Sequence, residues 1–143
     1  MKEFEGKVAL VTGGGSGIGR ATALAFGREG AQVVIGNRNV QRGEETVAMI
    51  RKADGTASFK RTDVLVPAEI EALVDHAVKT YGGLDLAFNN AGIEGATASL
   101  VEQTEANYDE VMNINVKGVW LSMKYEIPRM LKRGGGADRK SVV

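Results

Sequence analysis

The chain has 143 residues, 18 basic and 18 acidic side chains, no cysteine and a single histidine, His76. That length fits one domain, the zero net charge argues against a basic nucleic-acid face, and the lack of cysteine excludes disulfides and thiolate metal sites. No apolar run reaches the roughly 18 residues of a membrane span and residues 1–7 lack the apolar stretch of a secretory signal, so the expectation is a cytoplasmic protein without membrane or nucleic-acid partners.

Residues 7–12 are an apolar run ending in glycines, the pattern of a strand buried on both faces. Ile18, Ala21 and Ala25 follow at helical spacing, and Gly30 stands where that helix should stop. Residues 32–35 read as a second buried strand. Val40, Gly43, Val47 and Ile50 line one face of a second helix, which Asp54-Gly55 ends. Residues 56–61 form a weaker third strand. Pro67 opens the next helix, where its missing N–H costs nothing. Ile70, Leu73, Val74, Ala77, Val78 and Tyr81 give that helix its apolar stripe, and Gly82-Gly83 stops it. A fourth strand spans 84–88. Thr104 caps a long helix running to about Lys132, which Pro128 should kink or end. Strand and helix alternate throughout, so the fold class is α/β, a parallel sheet with helices on both faces.

The informative segment is Thr12-Gly13-Gly14-Gly15-Ser16-Gly17-Ile18-Gly19, between the first strand and the first helix. A pyrophosphate needs a tight turn, close backbone approach and a helix N-terminus aimed at it. Glycine supplies the first two and the following helix supplies the third. The alternative is a tight turn that binds nothing. Asn37 falls at the end of the second strand, 18 residues beyond Gly19, where an acidic residue would accept from a ribose 2′-hydroxyl and repel a 2′-phosphate. Here the residue is neutral and Arg38 follows, whose planar fork suits a phosphate. The pair favours NADP(H) over NAD(H), unless Arg38 is merely a solvated loop charge.

Together these features resemble the short-chain dehydrogenase/reductase family. The glycine segment is similar to its cofactor motif, Asp63-Val64 to its adenine-contacting pair, Asn89-Asn90-Ala91-Gly92 to its motif after the fourth strand, and Asn115-Val116-Lys117-Gly118 to the segment holding its active-site asparagine. The resemblance covers residues 5 to about 136 and implies a Rossmann-type sheet. It also implies that Asn89 to Gly92, which by chemistry alone read as a turn, stabilise the sheet and line the cofactor crevice, and that Asn115 holds a water in a proton relay. Read from chemistry alone, Asp63 is either an adenine acceptor or a turn cap, and Asn115 is either functional or a satisfied core asparagine.

The family's proton donor is the tyrosine of Tyr-x-x-x-Lys, assisted by a serine, all well beyond Asn115. Tyr81, Tyr108 and Tyr125 have no lysine four residues on; Tyr125 has Arg129, which reads as a helix-surface pair. Ser141 has no recognisable serine context, so the catalytic serine, tyrosine and lysine are absent from this chain. After the glycines at 134–136 the family places an apolar fifth strand, whereas residues 138–143 read Asp-Arg-Lys-Ser-Val-Val. One permitted codon set, GAT CGT AAA TCC GTC GTC, read one base later, gives Ile-Val-Asn-Pro-Ser. The expectation is therefore a partial dinucleotide-binding domain over 1–137 and an out-of-frame polar tail over 138–143. The sheet should be incomplete, about four strands in the order 3-2-1-4, with the fourth strand at an unpaired edge. Tyr108, Val111, Met112, Val119, Trp120 and Met123 either build a homo-oligomer surface or pack in the core.

Three functions are carried forward. The first is the cofactor-binding part of an NADP(H)-preferring oxidoreductase whose parent interconverts a small-molecule alcohol and carbonyl, this chain being inactive alone. The second is a non-catalytic dinucleotide-binding module, and the third is a frameshift fragment without function.

Overall fold

The computed structural model describes residues 1–140, so Ser141 and the remainder of the tail lie outside the described residues. Its strands are β1 (Val8–Thr12), β2 (Gln32–Asn37), β3 (Thr56–Arg61), β4 (Leu86–Asn89) and β5 (Ala137–Lys140). All pair in parallel, in the order β3-β2-β1-β4-β5. The chain steps outward from β1 to β3, then returns across β1 to place β4 on the other side. The switch point therefore lies between β1 and β4, where open α/β sheets bind ligands.

Side-chain alternation divides the core into two layers. Val8 and Leu10 of β1 and Val34 of β2 pack with Leu73, Val74 and Ala77 of helix α3 (Pro67–Tyr81) and Met130 of helix α5 (Gly118–Lys132). Ala9, Val11, Val33 and Ile35 face the other way. There they pack with Ala23 of α1 (Gly17–Arg28) and with Val47 and Ile50 of α2 (Val40–Lys52). β1 is buried along its whole length, as its unbroken apolar run requires. Left-handed backbone positions end helices: Gly82 closes α3 at φ +87°, and Gly30, Asp54 and Gly134 follow the caps of α1, α2 and α5 at φ +89°, +60° and +94°.

The sheet departs from the expectation of four strands. β5 pairs with β4 from Leu86↔Ala137 to Asn89↔Lys140, so β4 is not an edge and residues 138–140 belong to the sheet. A parallel ladder is made of backbone groups, and a mostly exposed edge strand needs no apolar side chains to form it.

The long helix also differs. Thr104 does cap it, its side chain accepting from the Asn107 N–H, but α4 (Glu105–Met112) gives way to a π-helical turn over Asn113–Lys117 before α5 begins. Pro128 sits inside α5 without ending it. It lies on the exposed side, where the carbonyl it leaves unbonded meets solvent. Tyr125 and Arg129 are no surface pair: Tyr125 packs on the core, and Arg129 holds Asp75 of α3 at 2.7 Å. Of the proposed oligomer surface, Tyr108, Met112, Trp120 and Met123 are exposed, while Val111 and Val119 are half-buried.

Candidate functional site

The glycine loop is built from the carboxyl end of β1. Thr12 is buried, and its hydroxyl accepts from the backbone N–H groups of Asn90 and Ala91, each at 3.1 Å. Asn90 returns the tie: its side-chain amide donates to the carbonyls of Thr12 and Gly13 at 3.3 and 3.2 Å. The segment after β4 thus braces the loop after β1, across the switch point. Gly13 takes φ +66°, and a β-carbon there would lie 2.9 Å from the Asn90 amide nitrogen and 3.0 Å from Ala91 Cα. Gly19, in the first turn of α1, lies so close to the Gly13 carbonyl and the Asn90 amide that a β-carbon would collide with both. Gly15 has the same relation to the Asn37 side chain. Gly17 differs: at φ +52° a β-carbon would meet nothing within 4 Å, and the residue faces open space at the N-terminus of α1. That arrangement suits an anion: a helix N-terminus with no side chain capping it and a glycine that leaves room in front of it.

A cleft of about 450 Å³ opens over this loop. From the glycine segment it takes Gly13, Ser16, Gly17 and Ile18; from the end of β2, Asn37 and Arg38; from the end of β3, Asp63 and Val64; and from the segment after β4, Asn90, Ala91 and Gly92. Eleven of the sequence-nominated residues therefore meet in one place. Asn37 holds its amide against the Asn39 carbonyl at 2.9 Å, which leaves Arg38 exposed at the rim. Asp63 is in part a turn cap, as one reading held: its carboxylate accepts from the Leu65 N–H at 2.9 Å while also lining the cleft. Val64 packs on Gly118, which lets α5 approach β3's outgoing loop.

The other nominees stand elsewhere. Thr12, Gly15 and Gly19 lie behind the cleft wall and shape it. Asn89 is buried under α5, apart from the residues lining the cleft, and its amide donates to Glu126 and to Asp138, each at 2.9 Å. Asn89 is the last residue of β4 and its side chain lies on the sheet face that α5 covers, whereas Asn90 has already left the strand. Asn115 lies in the π turn, and its side chain makes a two-way bond with one backbone unit, accepting from Ile93 N–H at 2.9 Å and donating to Ile93 carbonyl at 2.7 Å. It fixes the loop after Gly92, and its neighbour Ile114 lines the cleft.

Residues the sequence reading missed complete the site. Arg42, in the first turn of α2, lines the cleft with Arg38, and Asp63 is the lone carboxylate among the lining residues. Four-residue spacing from Arg38 was its available signal. Thr46 is fully buried behind the loop and donates to the Gly14 carbonyl at 2.9 Å, and Arg20 in turn donates to Thr46 at 3.0 Å. Nothing local in the sequence marks Thr46. Among the described residues no helix is long and apolar enough to cross a membrane.

The model of the family described as short chain dehydrogenase matches residues 7–137. This chain belongs to that family. Short-chain dehydrogenases are oxidoreductases that use NAD(P). The chain is 41% identical over 135 residues to a cyclohexanol dehydrogenase of Acinetobacter sp. (strain SE19), covering 94% of this chain and 54% of that protein. It is 42% identical over 134 residues to a 2,5-dichloro-2,5-cyclohexadiene-1,4-diol dehydrogenase of Sphingobium indicum, covering 94% and 52%. The solved structure of an NAD+-bound xylitol dehydrogenase superimposes with a TM-score of 0.94 at 33% identity, over 97% of this chain and 54% of that one. The chain spans about half the length of the curated relatives it matches.

Proposed function

We propose that this chain binds NADP(H) in the cleft and forms the dinucleotide-binding part of a short-chain oxidoreductase. The observation that carries the reading is the cleft itself: a braced glycine loop at a helix N-terminus, with neutral Asn37 at the β2 end, where an acidic residue would select NAD(H), and Arg38 directly after it. Backbone N–H groups of the loop and of the first turn of α1 would hold the pyrophosphate. Arg38 would hold the 2′-phosphate by a forked, charge-assisted contact. Asp63 and Val64 would meet the adenine, and Asn90, Ala91 and Gly92 the adenosine side of the crevice. The cofactor supplies hydride chemistry at nicotinamide C4, for which the substrate of the full-length parent would be a small-molecule alcohol or its carbonyl.

Asn115 would act through its grip on Ile93, setting the loop beside the reacting end of the cleft and serving the proton relay from there. The 143-residue chain holds no Tyr-x-x-x-Lys, so its own expected behaviour is binding without turnover. A module that co-assembles with a full-length relative is the second reading, and the exposed Tyr108, Met112 and Trp120 support association of some kind, a homo-oligomer included. The proposed unit is residues 1–137, with 138–143 read in a shifted frame. Sequencing the coding DNA past the Ala137 codon tests that boundary. A shifted frame running on into a serine and Tyr-x-x-x-Lys supports it; codons that exclude the alternative frame overturn it. The balanced charge and absence of cysteine favour a cytoplasmic setting and a small-molecule partner over nucleic acid.

Titration of the purified chain with NADPH and with NADH tests the functional reading. Saturable NADPH binding at least tenfold tighter than NADH is expected. Equal affinities would overturn the NADP(H) preference, and no binding of either would overturn the site.

A further inference from the structure

The one carboxylate lining the cleft, Asp63, stands in the turn that leaves β3. β3 is an edge of the sheet. Just past its end, the Thr62 N–H still donates to the Asn37 carbonyl of β2 at 3.1 Å, but the Asp63 N–H, one residue later, meets no strand. A backbone donor in a packed turn needs another acceptor. Glu69 supplies it from the first turn of α3, where Oε2 accepts from the Asp63 N–H at 2.7 Å.

Glu69 is itself held. One terminal nitrogen of Arg61, the last residue of β3, donates to both oxygens of its carboxylate, at 2.7 and 2.8 Å. The rest of Asp63 is fixed within the turn: its carbonyl accepts from the Val66 N–H at 3.0 Å, and its Oδ1 accepts from the Leu65 N–H at 2.9 Å. Asp63 Oδ2 has no partner among the described residues, so it is the acceptor this side chain offers to the cleft. The Arg61 and Glu69 side chains are 51% and 31% exposed, and an ion pair of that kind adds little stability by itself. Its consequence lies in the bond that Glu69 makes to the Asp63 backbone.

We propose that Glu69, clamped by Arg61, is the positioning residue for Asp63: it fixes where Oδ2 stands in the cleft, and so sets a preference for a 6-aminopurine over a 6-oxopurine in the bound dinucleotide. The inference rests on reading the cleft as a dinucleotide site. A 6-amino group donates to the waiting oxygen, whereas a 6-oxo group sets a second acceptor against it. Without Glu69 the Asp63 N–H loses its acceptor and the turn its tie to α3, so the oxygen is no longer held in place before the ligand arrives and the preference falls.

Titration of the full 143-residue chain with NADPH and with its 6-oxo analogue, reduced nicotinamide hypoxanthine dinucleotide phosphate, reads that preference directly. The parent should bind NADPH about tenfold tighter than the analogue, as expected for a hydrogen bond to a charged acceptor. Glu69→Ala should bring the two affinities within roughly twofold, chiefly by weakening NADPH. Glu69→Gln should restore the preference, because Oε2 already takes both the Asp63 N–H and Arg61, and a side-chain amide oxygen can do the same. Arg61→Ala frees Glu69 at an exposed position; it should lower the preference in the same direction and serves if Glu69→Ala does not fold.

A Glu69→Ala chain that keeps the parent's ratio would overturn the inference and leave the dinucleotide site standing. So would a loss of affinity for both compounds by the same factor, which is the mark of a merely structural role, or a parent that binds the two equally. A parent that binds neither would overturn the dinucleotide reading, and this inference with it.

Discussion

A β-carbon on Gly19 has nowhere to go, because the Gly13 carbonyl and the Asn90 amide already occupy its place. Both are fixed parts of the brace across the switch point, so neither yields cheaply. Gly19→Ala should therefore cost about 2 kcal/mol of stability and abolish dinucleotide binding, measured by urea unfolding and by titration with NADPH. Arg38 is the converse case. It is exposed at the cleft rim, so Arg38→Ala should leave the unfolding midpoint unchanged. NADPH affinity should fall roughly tenfold or more with NADH affinity constant. Asn115 supports the loop through two hydrogen bonds to Ile93; Asn115→Leu should lose about 2 kcal/mol in a denaturant titration, and retention of full stability would show that the loop needs no such tie.

At the scale of elements, the start of β1, the approach to β4 and the end of α5 are joined by one carboxylate. Asp85 is buried, accepts from the Val8 N–H at 2.9 Å, and binds Arg133 at 3.0 Å, with Lys7 at 3.9 Å. Burial pushes its pKa up, but the hydrogen bonds from Arg133 and Val8 and the charges of Arg133 and Lys7 outweigh that and hold it below the usual aspartate range. A carboxylate lowered in the folded state contributes above its unfolded value and loses that contribution as pH falls through the folded one. Unfolding midpoints should thus drop on the acid side below about pH 4, and Asp85→Asn should flatten that limb while costing about 2 kcal/mol at pH 7. A variant with the parent's acid limb would place the effect elsewhere.

What could be read from the sequence follows the same scale. Strands β1 and β2 and helices α1 to α3 announce themselves through apolar period and through glycines at left-handed turns, and β3, Thr-Ala-Ser-Phe-Lys-Arg, does so weakly. The π turn leaves no such trace, since its wider hydrogen-bond register changes the backbone and not the residue types. Its consequence is that Asn115 is aimed at Ile93. Asn89 ties β4 to α5 and β5 through partners 37 and 49 residues away, which no local pattern announces. Thr46 was invisible because its partner, the Gly14 carbonyl, is 32 residues away.

For the molecule as a whole, the outer strand was the hardest part to foresee. A ladder of backbone bonds accepts Ala-Asp-Arg-Lys at an edge, although apolar strands are the usual guide. The same side of the molecule leaves Trp120, Ile127 and Leu131 of α5 exposed, with Tyr108 of α4 at 62% and Leu131 at 68%. An apolar surface of that kind favours self-association. Sedimentation velocity should show a concentration-dependent increase in mass that Trp120→Glu reduces, whereas a chain monomeric at every concentration would argue that this face has no second copy to meet.

The central claim is that the cleft over the glycine loop holds NADP(H). The most direct measurement is calorimetric titration of the 143-residue chain with NADPH and NADH side by side, repeated on Arg38→Ala. Saturable binding, tighter for NADPH, is expected, with the preference lost in the variant. No heat from either cofactor, or an NADH preference in the parent chain, would contradict it.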